Sequence, residues 1–334
     1  MRIQTVALAA ALLTGCSTAS KPSLAVVVYV SEDRVFSEPI LKDFEKETGI
    51  AVKAVYDTEE AKSTGVMNRL LAEKANPQAD VYWANEPVRA DVLRQQSISE
   101  PFQAANAQEI PGQFKDPQGY WTGFSARARL FVVSKRAKFK PTGLLSYTDP
   151  KARGRAVIAN PLFGTTTAQM AALFSLWGDA KGKQFLASLK ANQVKLSTGN
   201  GESADFVASG EFDFALVDSD DAVDRIRHGK EIEIAYPDQG DNEPGLLLIP
   251  NAVALMRGGP NPENGRRLIE YLLSKETERK LALADCAQIP LHAGVTPPAE
   301  LKPIGQLKTM KVSYAELGAK LQAIQPVLKE WAGY

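Results

Sequence analysis

The chain has 334 residues, 44% of them apolar and 23% charged, an ordinary globular composition that excludes disordered, collagen-like and disulfide-scaffold classes. Lys and Arg total 39 and so do Asp and Glu, so the net charge is zero; broad attraction to nucleic acid, which needs a basic surface, is excluded with it. The length predicts about two domains.

Residues 1–15 read as a secretory signal peptide. Arg2 gives the basic start, and residues 3–13 are an apolar stretch too short for a stable bilayer span. Leu13-Thr14-Gly15-Cys16 resembles the bacterial lipobox. The resemblance implies cleavage before Cys16 and lipidation of that residue, giving a membrane-anchored lipoprotein of the periplasm or cell surface. Residues 16–23 are then a small, polar tether. With Cys16 lipidated, Cys286 has no disulfide partner and reads as a buried small hydrophobe.

Residues 24–30 form a continuous apolar run, as in a strand buried on both faces. A helix follows, with Phe36, Ile40, Leu41 and Phe44 at helical spacing and Gly49 as its stop. Residues 50–56 alternate as a second strand, 66–74 are helical, and 80–83 form a third strand. This βαβαβ opening implies a parallel sheet with right-handed crossovers. Residues 101–120 read as surface loop, 121–126 and 129–134 as two strands, and 141–155 as a polar connection. A second series follows: strands at 156–159, 193–196 and 212–217, and helices at about 168–177, 182–191 and 203–209, then one capped by residues 218–221. Strands at 245–249 and 252–256 precede helices at 262–274, 276–284 and 313–331. The order predicts an α/β fold of two lobes, with a cleft at the strand C-termini where ligands bind. Residues 24–126 with about 252–300 are expected as one lobe and 127–251 as the other, with 301–334 a helical segment packing on them.

Several stretches carry a resemblance: residues 44–50 (Phe-Glu-Lys-Glu-Thr-Gly-Ile), 79–83 (Ala-Asp-Val-Tyr-Trp), Asp149-Pro150-Lys151 with Gly154-Arg155, 210–217 and 263–273. In this order and spacing, over roughly residues 24–295, the chain resembles bacterial extracellular solute-binding proteins, most of all the ferric-binding branch that feeds ABC importers. The resemblance implies a type II periplasmic-binding-protein-like fold, each lobe a mixed, mainly parallel sheet flanked by helices. It implies hinge closure on a small-molecule or metal ligand, an ABC importer permease as partner, and a monomer. The branch's iron site does not carry over. Its two adjacent iron-binding tyrosines fall on Asp220 and Asp221, a histidine falls on Asp33, and a glutamate on Asn85, with Glu86 beside it. Asn200 matches an asparagine that touches the accompanying anion; a second such asparagine falls on Asp218, and residues 165–167 occupy the anion-binding turn.

Asp218, Asp220 and Asp221 stand at a strand-to-helix junction. One Asp suffices as a helix cap, whereas three close carboxylates repel unless a cation relieves them. They therefore point to a cationic ligand group or a hard metal ion, with Asp33 as a further candidate metal ligand. His228 and His292 are the only histidines, which argues against a His-rich zinc or copper site. Thr165, Thr166 and Thr167, after Gly164, suit an anion at a helix start, plain capping being the alternative. Arg127 and Arg129 alternate onto one strand face, where they could clamp an anion bidentately or form a solvated or salt-bridged face. Tyr82, Trp83 and Tyr120 could supply a stacking wall, with Trp83 alternatively in the core. The expected ligand is zwitterionic or anionic, phosphonate- or amino-acid-like, or a hard metal with its anion. No cofactor is certain beyond a possible bound metal ion. Ferric iron on carboxylates, a ligand sensor for a receptor kinase and a metal-dependent phosphohydrolase stay as alternatives. Against the last stand the missing Gly-x-Ser-x-Gly, His-Glu-x-x-His and P-loop patterns.

Overall fold

The computed structural model describes residues 25–57 and 64–333. The expected signal peptide, lipidation of Cys16 and tether thus lie outside the described residues. The first series runs as expected: β1 (Ala25–Val30), α1 (Arg34–Thr48), β2 (Ala51–Tyr56), α2 (Thr64–Ala72) and β3 (Val81–Ala84). β1 pairs in parallel with β2 on one side and β3 on the other. Gly49 ends α1 at φ +71°, its N–H donating to the Glu45 carbonyl, a backbone state that only glycine takes cheaply.

The sequence reading missed a helix, α3 (Pro87–Gln95), and the short strand β4 (Ser99–Glu100). Residues 101–120 are more than surface loop, since two short 3₁₀ turns bury Ile110 and Phe114. The two strands expected next are one, β5 (Thr122–Ser134), thirteen residues long and buried throughout. The charges of Arg127 and Arg129, which break the apolar pattern, are accommodated inside it.

β6 (Ala156–Ala159), α4 (Gly164–Trp177), α5 (Asp179–Ala191), β7 (Lys195–Ser197), α6 (Asn200–Ala208), β8 (Phe214–Asp218), α7 (Ser219–Arg227) and β9 (Ile232–Ala235) follow. α4 starts four residues earlier than expected, so residues 165–167 lie within its first turn. β10 (Leu248–Met256) is again one strand in place of two, continuous through Pro250 and Asn251. α8 (Pro262–Leu272), α9 (Lys275–Leu283) and α10 (Tyr314–Ala332) complete the chain. None of the described helices is long and apolar enough to cross a membrane.

The strands form one mixed sheet in the order β2-β1-β3-β10-β5-β8-β6-β7, with β4 on β10 and β9 on β5. Parallel pairs occupy the flanks; β10 and β5 run antiparallel in the middle. β5 joins two half-sheets. Its first part pairs with β10 and its last with β8 and β9. At the join Ser125 is an extra residue: Phe124 pairs with Asn251 and Ala126 with Pro250. α10 lies against α3 beside the first half-sheet and against α4 and α5 beside the second. Trp331 Nε1 donates to the Leu186 carbonyl at 2.6 Å, and Lys320 pairs with Asp179 at 3.1 Å.

Candidate functional site

The ends of β1 and β8 bring their following residues toward the middle of the sheet, where β5 carries Arg127 and Arg129. Asp218 closes β8 and stands at the N-cap position of α7, yet its side chain makes no capping bond. It turns to Arg129, whose side chain is fully buried, with Nη1 to Oδ1 at 3.0 Å. The same Nη1 donates to Thr165 Oγ1 and Asn200 Oδ1, each at 3.0 Å, and Nη2 donates to Thr166 Oγ1 at 3.1 Å. Asp218 Oδ2 accepts from Thr165 Oγ1 at 2.8 Å and Asn200 Nδ2 at 3.3 Å. A buried ion pair is tolerable when most of its remaining donors and acceptors are filled in this way; here Arg129 Nε has no partner among the described residues. The hydroxyls expected to hold an anion, those of Thr165 and Thr166, are therefore engaged with Arg129, and Thr167 is buried. Arg129 is thus salt-bridged and buried, not solvated, and stands at the centre of a polar group.

Asp220 and Asp221 are less complete. Oxygens of Asp218, Asp220 and Asp221 lie within 4.8 Å of one another. Burial, followed by the Asp218 charge, pushes the Asp220 carboxyl up to about 6. Burial and then the charges of Asp220 and Asp218 raise Asp221 well above the usual carboxylate range. Arg225 stands 4.0 Å from Asp221, whose side chain keeps 23% of its surface accessible. Asp33 is half-buried and outside this group of three, so the expected four-carboxylate metal set is reduced to three.

Arg127 lies between the acids of the two half-sheets. Burial alone would lower its pKa; Glu32, Asp218, Asp220 and Asp33 outweigh that and raise it. Its Nη2 donates to the Asn85 carbonyl, while its buried Nε has no hydrogen-bond partner among the described residues. Asn85 thus contributes its backbone. Glu86 is otherwise occupied: it caps α3 by accepting from the Val88 and Arg89 N–H groups and pairs with Arg89 at 2.9 Å. Asp218, Asp220 and Asp221 stand beside Arg127 and Arg129, with Arg225 next to Asp221, while Glu32 and Asp33 act on Arg127 as well. The close approach of three carboxylates favours a cation.

Glu32, only 5% exposed, was missed by the sequence reading; its one signal was its place between the first strand and Asp33. Tyr82 and Trp83 are fully buried core residues and no stacking wall, whereas Tyr120 is half-buried. His228 is exposed on α7, and His292 is buried against Glu278. Cys286 is buried; burial pushes its thiol well above the usual range, and it donates to the Leu281 carbonyl. A separate pocket of about 220 Å³, lined by Leu70, Pro77, Ile98 and Met256 among others, opens at the N-terminal end of β3, away from these charges.

Residues 26–282 match the family described as bacterial extracellular solute-binding protein. The major ferric iron-binding protein of Neisseria meningitidis is 27% identical over 335 residues, covering 97% of each chain. The putative 2-aminoethylphosphonate-binding periplasmic protein of Salmonella typhimurium is 28% identical over 301 residues, 87% of this chain and 86% of that one. Iron-bound HitA from Pseudomonas aeruginosa superposes with a TM-score of 0.80 at 23% identity, over 91% of this chain and 99% of that one. That likeness concerns the fold, the two-lobe type II architecture of periplasmic binding proteins. The chain belongs to the bacterial extracellular solute-binding proteins and is a substrate-binding protein.

Proposed function

We propose that the protein captures a small zwitterion of the aminophosphonate or amino-acid kind between its half-sheets and delivers it to an ABC importer permease. In this reading it works as a monomer in the periplasm or at the cell surface, held to the membrane by lipid on Cys16. It is a binding protein, not an enzyme, and has no nucleic-acid partner. The observation that carries the reading is the acidic group of Asp218, Asp220 and Asp221 beside Arg127. An ammonium group placed there relieves the repulsion that raises Asp220 and Asp221. The anionic end is left to Arg127, whose buried Nε lacks a partner among the described residues, and to the N–H groups of the first turn of α4, which no described side chain caps. The relative named for 2-aminoethylphosphonate supports this reading.

A hard metal ion with its anion is the second reading, favoured by the close approach of three carboxylates and by the relative named for ferric iron. Iron held by paired tyrosines is not part of it, since Asp220 and Asp221 stand in those places.

Titration calorimetry of the full chain in detergent separates the two. The first reading expects 2-aminoethylphosphonate to bind and ethylphosphonate, which lacks the amine, to bind at least about 30-fold more weakly, or about 2 kcal/mol. Equal binding of both phosphonates sinks the ammonium site. Chelator-reversible binding of ferric citrate alone transfers the function to the second reading.

A further inference from the structure

The extra residue at the join of the half-sheets is held from two sides. Ser125 has φ +40°, a left-handed state unusual for a residue with a β-carbon. A bulge takes a backbone N–H and C=O out of the strand ladder, and buried groups of this kind need partners. Here both partners are side chains. The Ser125 N–H donates to Glu278 Oε1 at 2.7 Å, and its carbonyl accepts from Asn251 Nδ2 at 2.8 Å.

Each of those side chains is fixed in turn. Glu278 Oε2 accepts from His292 Nδ1 at 2.8 Å. Asn251 Nδ2 also donates to Gln288 Oε1 at 2.8 Å, and Gln288 Nε2 donates to Glu32 Oε1 at 3.1 Å. Ser125, Asn251, Gln288 and Glu278 are fully buried. One end of this chain of bonds is the bulge; the other is a carboxylate of the charged cleft.

We propose that Gln288 and Asn251 are positioning residues that transmit the state of Glu32 to the Ser125 bulge, and so set how readily the half-sheets turn about it. The inference rests on the cleft being the solute site, whatever the solute. A primary amide has a donor end and an acceptor end, so its orientation is all-or-none. While Glu32 is ionised, Gln288 must present Nε2 to it and Oε1 to Asn251. When Glu32 is drawn to a cation, that arrangement loses its charge-assisted bond. In a buried network the neighbours then reorient together instead of yielding by degrees. Asn251 releases the Ser125 carbonyl, and the bulge two residues from Arg127 becomes free to change its backbone angles.

Amide hydrogen exchange read by mass spectrometry on the full chain in detergent, with no solute added, tests this apart from any ligand assignment. Glu32→Gln is expected to speed exchange at least about tenfold in the peptide containing Ser125 and Ala126, with β6 unchanged. In a Gln288→Leu background the same Glu32→Gln change should add nothing. Coupling is expected of any two residues in direct contact; what a relay adds is that the change appears at Ser125 and Ala126, beyond both substituted side chains, with β6 unchanged. Unchanged exchange at Ser125 and Ala126 in Glu32→Gln overturns the proposal, as do simply additive effects or a loss of protection spread over both half-sheets. Should Gln288→Leu not fold, Gln288→Met supplies the same cycle.

Discussion

Arg129 and Arg127 sit two residues apart on one strand and have opposite circumstances. Both terminal nitrogens of Arg129 are used, by one carboxylate, two threonines and an asparagine. Arg127 donates from Nη2 to the Asn85 carbonyl, while four carboxylates act on it. The Nε atom of each is buried without a partner among the described residues, so the contrast lies in the outer nitrogens and in the carboxylates around them. A polar group that is complete holds a shape. One with surplus charge is stabilised by whatever completes it, and a binding site is a group of the second kind built on one of the first.

The largest effect expected is on the complete group. Arg129→Met leaves Asp218 buried and unpaired and should cost about 3–5 kcal/mol in urea denaturation. A loss below about 1 kcal/mol, the range of an exposed pair, would erase the contrast. Next, Asp220→Asn combined with Asp221→Asn should weaken a cationic solute by about 2 kcal/mol, about 30-fold, while the urea midpoint holds or rises because repulsion is gone. If stability falls as it does for Arg129→Met, both groups are structural. A smaller effect sharpens the same point. With the Asp220 carboxyl at about 6, the cation-binding, ionised form fills as pH rises, so affinity should climb between about pH 5 and about pH 7. Calorimetry at both pH values should find that slope absent from the double variant.

The smallest effect belongs to the other closed pair, Glu278 and His292. Burial lowers the His292 pKa, but the Glu278 bond and the Asn106 carbonyl outweigh it and raise the value, against a weak opposing effect of Lys275; Glu109 also lies near. A raised histidine pKa contributes stability that is complete below the ordinary value of about 6.5 and lost as pH rises through the raised one. The urea midpoint should fall over that window, and His292→Gln should flatten the dependence.

The elements that carry their own punctuation were legible in the sequence. α1 shows an apolar face and a glycine stop, and β1 is one uninterrupted apolar run. α3 was missed because it opens on Pro87 and is polar on average, its place secured by Glu86 at the cap and α10 on its face. β5 and β10 each read as two strands because Arg127 and Arg129 in one, and Pro250 and Asn251 in the other, look like breaks. Their tolerance depends on partners distant in sequence, such as Asp218 and Gln288. The acids of the site could be found locally, as three Asp in four residues. Which of them were already satisfied could not, since Thr165, Asn200 and Arg129 come to Asp218 only through the sheet. Glu32 and Gln288 are linked across 256 residues, beyond any local pattern.

The last helix has a mechanical consequence. α10 spans the join like a strap across two leaves of a door, touching α3 on one leaf and α4 and α5 on the other. Its attachment to the second leaf is specific, through Trp331 and Lys320. On the first leaf it presents Gly318 to Val88, where an added β-carbon would come within 3.3 Å of Val88 Cγ1. A swing of the leaves would therefore load both ends of α10, since Tyr314 at its start packs on Phe114 and Trp121 of the first leaf, and the bare glycine is the place where α10 and α3 come close. Any side chain there would act as a brake, tuning how far the door swings without touching the solute.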